Sequence, residues 1–120
     1  MNVFQDTLRR IAERVEGTRA VSLVGIDGIP IDSYGAVEGM SIESFAAEMG
    51  NFVKATHGSH TSLDSSSIQQ LSLVTDSSIA ILSRVTEEYY LLLLLARDGS
   101  FGRGRFELAK AALTLEKELL

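Results

Sequence analysis

Residues 88–96 read EYYLLLLLA, and this stretch decides the fold. Five consecutive leucines cannot come from a strand with one wet face, which would alternate apolar and polar side chains. The run is too short to span a membrane and is flanked by Glu88 and Arg97. It reads as a strand covered on both faces, and therefore as the middle of a sheet with helices on either side. Working outward, residues 67–74 (SIQQLSLV) and 79–85 are two further strands, with Asp76-Ser77 and Thr86-Glu87 as turns. Upstream, residues 20–26 and 29–34 form a hairpin around Asp27-Gly28, expected as a two-residue loop. Pro30, the one proline in the chain, marks the second of these as an edge strand, because it has no N–H to donate.

Three helices complete the pattern. In the first, Val3, Phe4, Leu8, Ile11, Ala12 and Val15 recur at helical spacing behind an Asn2 cap. Gln5 stands at the capping-box position and Gly17 terminates the helix. The second starts at the N-cap Ser41 and runs to about residue 63, with Ile42, Phe45, Met49, Phe52, Val53, Thr56 and Leu63 on one face. Gly50 and Gly58 each cost about 1 kcal/mol relative to alanine in a helix, a cost suited to positions where another backbone comes close. The third spans 101–120. The order is α-β-β-α-β-β-β-α. It predicts one α/β domain over 1–120, three-layered, with a five-stranded antiparallel sheet and helices on both faces.

Such a sheet has two edges. Pro30 guards one, and residues 67–74 form the best candidate for the other. That strand has no proline, lysine or glycine, the devices that usually block an edge. An open edge beside a helix with a broad apolar face predicts a symmetric homodimer. Its expected interface is Ala46, Met49, Gly50, Phe52 and Val53 on the helix with Ile68, Gln70 and Ser72 on the strand.

Composition narrows the function. The 120 residues carry a net charge of −5, so no basic nucleic-acid footprint is present. There is no cysteine, which removes disulfides, thiol catalysis and thiolate metal sites. No apolar segment suits a membrane span or a secretory leader, and a cytoplasmic protein is expected. The charge is uneven. Ten of the 11 Lys and Arg lie in 1–19 or 84–120, whereas between residues 20 and 83 Lys54 stands against seven acids.

Several constellations of residues resemble sites. His57, His60 and Asp64 share a helix flank and could ligate zinc. They sit in a Ser/Thr-rich helix end, and no metal or other cofactor is expected. Gly102-Arg103-Gly104-Arg105 opens a helix and could cradle a phosphate, but no phosphate-loop lysine or dinucleotide-type glycine pattern accompanies it. No nucleophile elbow exists, and no catalytic residue is assigned. The Phe45/Met49/Phe52 stripe reads as core or interface ahead of a ligand pocket, leaving a small-molecule sensor as a rival class.

The order of elements, together with VGIDGIPIDS at 24–33, the helix start at 41–51 and GRGRFELAKAA at 102–112, resembles the Roadblock/dynein light chain family, in its bacterial MglB-type branch. The resemblance covers essentially the whole chain. It implies dimerisation through the middle helix and third strand, and regulation of a small Ras-like GTPase by activation or scaffolding. It further implies that the GTPase sits on the dimer's middle helices and receives no arginine finger. In this sequence that would place Ser44, Glu48, Asn51, Ala55 and Ser59 at the GTPase. The alternative within the resemblance is a dimeric adaptor without effect on hydrolysis.

Overall fold

The computed structural model describes residues 2–35, 41–57 and 68–119. The elements run α1 (Val3–Arg14), β1 (Thr18–Gly25), β2 (Pro30–Gly35), α2 (Ile42–His57), β3 (Gln70–Val74), β4 (Ser78–Arg84), β5 (Tyr89–Ala96) and α3 (Phe101–Leu119). The sheet order is β2-β1-β5-β4-β3, every pair antiparallel. The leucine strand is therefore central, between β1 and β4, with β2 and β3 at the edges.

The five leucines divide between two cores. Leu91, Leu93 and Leu95 point into the layer of α1 and α3, beside Leu8, Ile11, Ile81, Leu108 and Leu115. Leu92 and Leu94, with Tyr90, point the other way, onto Ala46 and Met49 of α2. Each of the five is at most 2% exposed. At roughly 1.5–3 kcal/mol per fully buried side chain, this strand is a major source of hydrophobic stabilisation.

Local signals are used as read, with two changes. The Asn2 side chain caps α1 by accepting from the Phe4 N–H at 2.9 Å, and Ser41 Oγ accepts from the Ser44 N–H at 3.3 Å. Gln5, however, does not fold back to the cap. Its amide donates to the Asp32 carboxylate and the Ser33 carbonyl, fastening α1 to the edge strand β2. The hairpin connection is also longer than the two residues expected, covering Ile26 to Ile29. The reason lies in the neighbouring strand. The Ile26 N–H is held by the Glu88 carbonyl at 2.8 Å, so β1 keeps pairing with β5 after β2 has left it. The register shift between Leu23 and Val24 takes up the offset. Gly28, at φ +85°, turns the chain, and the Asp27 carboxylate accepts from the Ile29 N–H.

The glycine-arginine start of α3 has a packing role. A Cβ on Gly104 would lie 3.0 Å from Leu93 Cδ2 and 3.2 Å from Ile81 Cδ1, so the missing side chain lets α3 lie close on the sheet. Two turns of chemistry follow from it. Arg105 bonds to Gln70 on β3, and Glu107, only 5% exposed, meets Arg14 of α1 at 3.4 Å and Lys110 at 3.9 Å. No helix among the described residues is long and apolar enough to cross a membrane.

Among the described residues, the Tyr90 hydroxyl is the buried side-chain polar group that lacks a partner. The Tyr90 ring is buried as well. Burial first, and the nearby Asp27 charge second, push its pKa up to about 12. A buried unsatisfied hydroxyl costs about 1–3 kcal/mol. Tyr90→Phe is therefore expected to raise the melting temperature, and a lowered one would show that the hydroxyl is satisfied. The sign with pH follows by linkage. The native phenol stays protonated where the unfolded one, near pKa 10, ionises. Ionisation of the unfolded phenol therefore favours unfolding from about pH 10, and native stability falls as pH rises toward 12. The phenylalanine variant should lose less stability across that window, as read by alkaline unfolding monitored by circular dichroism.

Candidate functional site

The candidate site is a surface made by α2 and the β3 edge, on the side of the sheet opposite α1 and α3. Its strand part is set by hydrogen-bond phase. The Arg84 N–H donates to the Gln69 carbonyl at 2.8 Å and the Thr75 N–H to the Ser78 carbonyl at 2.9 Å. Between those anchors, alternation turns the backbone groups of Leu71 and Leu73 toward β4 and those of Gln70, Ser72 and Val74 toward the open edge. Side chains alternate across the sheet. Leu71 and Leu73 pack half-buried on the α2-side core. Gln70 faces the other way, its amide donating to the Arg105 carbonyl at 3.0 Å while its oxygen accepts from Arg105 Nε at 3.1 Å. Ile68 precedes the strand and is half-buried, and Val74 at its end is 56% exposed.

The helix part divides by face. Ala46, Met49 and Gly50 are buried against the chain's own sheet. A Cβ on Gly50 would stand 3.3 Å from Gly28 Cα and 3.4 Å from Tyr90 Oη, so the backbone that comes close at Gly50 is the chain's own hairpin turn. This corrects the assignment of Ala46, Met49 and Gly50 to a contact between chains: they have almost no surface left for a second molecule. Phe52 is different. It is 49% exposed and, at 100° per residue, lies on the same flank as Phe45, which packs half-buried on the α2-side core. Phe45, Phe52 and the two β3 leucines give the apolar part of the site. Sequence reasoning kept Phe45 in the helix stripe and passed over Leu71 and Leu73, although the alternation in QLSLV carries that signal.

Ser44, Glu48 and Asn51 are all exposed. They cluster within about 60° of one another on the outward face of α2. The side chains of Val53, Ala55 and His57, and Ser59, His60 and Asp64 altogether, lie outside the described residues.

An antiparallel sheet with one helix on one face and two on the other, and with one edge strand that carries no proline, lysine or glycine, defines a class of small α/β domain. The Roadblock/LC7 domain family model matches residues 4–95, and the chain belongs to that family. Solved structures agree. A Roadblock/LC7 domain from Streptomyces avermitilis superposes with a TM-score of 0.83 at 18% identity, covering 94% of both chains. MglB from Myxococcus xanthus gives 0.83 at 19% identity over 98% of both, and MglC from the same organism 0.69 at 26% identity over 96% of this chain and 98% of that one. No curated protein sequence matches significantly.

Proposed function

We propose that the protein is a non-catalytic, cytoplasmic homodimer that regulates a small Ras-like GTPase by activating or scaffolding it. The observation that carries this reading is the open β3 edge in a domain of the Roadblock/LC7 family. Membership in the family and likeness to MglB and MglC support the GTPase as partner. One of the similar structures is described as MglB with a tetrameric arrangement, which supports self-association in the family.

In this arrangement two β3 strands pair antiparallel through the backbone groups of Gln70, Ser72 and Val74. Phe52, Phe45, Ile68 and the β3 leucines close the apolar seam, with Val53 assigned to the same contact. The two α2 helices then come side by side. Ser44, Glu48 and Asn51, with Ala55 and Ser59 further along, form a polar platform for the GTPase. Residues 20–83 hold seven acids and one lysine, so the surface that meets this platform is neutral to basic.

The test is turnover of GTP by a Ras-like GTPase with and without the protein. Activation or a stable complex supports the reading, and absence of any complex refutes it. Unchanged turnover with a complex assigns the scaffolding role. The acidic excess of residues 20–83 further predicts that the complex weakens several-fold between low and physiological salt, measured by titration calorimetry. Indifference to salt would remove charge from the account.

A further inference from the structure

The other face of the molecule carries chemistry that the GTPase reading does not use. Between α1 and α3 runs a groove with a cleft of about 50 Å³, lined by Thr7, Arg10, Arg14, Glu107, Lys110 and Thr114 among others. Glu107 is its buried acid, answered by Arg14 and Lys110. Arg10 has no acidic partner within 4.0 Å among the described residues, and neither have Arg103 and Lys117.

These cations are ordered. Residues seven apart on a helix return to one flank with a drift of only about 20°. Arg103, Lys110 and Lys117 therefore form a row along α3, about 21 Å from end to end at 1.5 Å per residue. Beside it stands an apolar row, Phe106 and Leu113, which are 60% and 69% exposed, the latter the most exposed large apolar side chain among the described residues. Lys110 spans the two rows, its ammonium 5.9 Å from the centre of the Phe106 ring. In a chain of net charge −5 this is a cationic, partly apolar strip.

We infer that the exposed face of α3, together with Arg10 at the α1/α3 groove, is a docking site for a linear acidic segment of a partner protein, whose carboxylates meet Arg10, Arg103, Lys110 and Lys117 and whose apolar side chains cover Phe106 and Leu113. Charge complementarity sets the sign of the occupant. The straight pairing of a basic row with an apolar row sets its form, because a helix or extended segment follows two parallel rows over that length better than a convex folded surface does. The site lies across the sheet from α2, so it does not depend on the GTPase reading, and a dimer would carry two copies of it.

The experiment uses the full chain and a labelled amphipathic peptide with glutamates on one face and leucines at helical spacing on the other, followed by fluorescence anisotropy. Binding that weakens about tenfold in Arg10→Glu/Lys117→Glu, and similarly in Phe106→Ser/Leu113→Ser, is the expected result. All four residues are exposed and none pairs with Glu107, so the variants should keep the parent circular dichroism spectrum. Equal binding of a peptide with lysine in place of glutamate would overturn the proposal, as would no binding or binding untouched by both variants. Sedimentation with phosphatidylserine vesicles in place of peptide binding would assign the strip to a membrane surface instead. A change of oligomeric mass in the charge-reversal variant, again without peptide binding, would assign it to a second copy of the chain. Either result overturns the peptide site. Because the GTP turnover assay reads the opposite face, it distinguishes failure here from failure of the proposed function.

Discussion

Gly28→Val, at a buried turn position, is expected to lower the melting temperature by about 10 °C or more. Two costs add. The position has φ +85°, in the left-handed region, where a β-branched side chain is strained by about 1–3 kcal/mol. The added Cβ would also stand 2.9 Å from Ala47 Cα, a backbone atom that cannot turn aside, so α2 must lift away from the hairpin. Overpacking of this kind typically costs a further 1–3 kcal/mol. Together they take a large share of the 5–15 kcal/mol that holds a typical domain. Gly102→Ala is the control. Nothing lies within 4 Å of a Cβ there, so it should be neutral or stabilise α3 slightly, by about 0.5–1 kcal/mol. If Gly28→Val melted with the parent protein, α2 would not rest on the hairpin, and the platform built on α2 would lose its support.

That contact also shows where sequence reading reached its limit. A glycine inside a helical pattern signals that something comes close, and at Gly50 it does. The sequence does not say what, because the partner, Gly28, is 22 residues away and belongs to a turn whose geometry depends on a third strand. The same limit appears at Gln5 and Glu107. Gln5 fits a local capping rule, but Asp32 and the Ser33 carbonyl offer it stronger partners across the fold. Glu107 sits where a helix face should be apolar. It is tolerable because Arg14, 93 positions earlier, reaches it, along with Lys110 one turn on. Features fixed by periodicity were legible: the double-sided burial of the leucine strand, the caps and the two edges. Features fixed by pairing between distant segments were not. The site inherits this division. The open edge of β3 could be read from missing blockers, whereas the faces of α2 could not be sorted until the sheet was in place, since Met49 and Phe52 look alike in a stripe.

Ser72→Pro should abolish dimer formation and leave the monomer folded. Hydrogen-bond phase decides which side of β3 a proline disturbs. In β3 the backbone groups of Leu71 and Leu73 face β4, and those of Ser72 face the open edge. Proline at 72 removes an N–H that points outward and sets its ring against any incoming strand, while the bonds from β3 to β4 stay intact. Light scattering is expected to give the monomer mass of 13.0 kDa for the variant and twice that for the parent. Proline one residue earlier, Leu71→Pro, acts on the other side. It removes a bond to β4 and a side chain packed on the core, so the expected outcome is loss of folding, about 3 kcal/mol or more. This pair separates an edge used for association from one that merely belongs to the sheet. A parent protein that scatters as a monomer, or a Ser72→Pro variant that remains dimeric, would put the contact elsewhere. The consequence for function is direct. If the GTPase is read by two α2 helices side by side, Ser72→Pro should cost its binding as well, although Ser72 lies off the platform of Ser44, Glu48 and Asn51. A monomeric variant that still binds the GTPase with parental affinity would show that one α2 suffices, and that pairing serves assembly and not recognition.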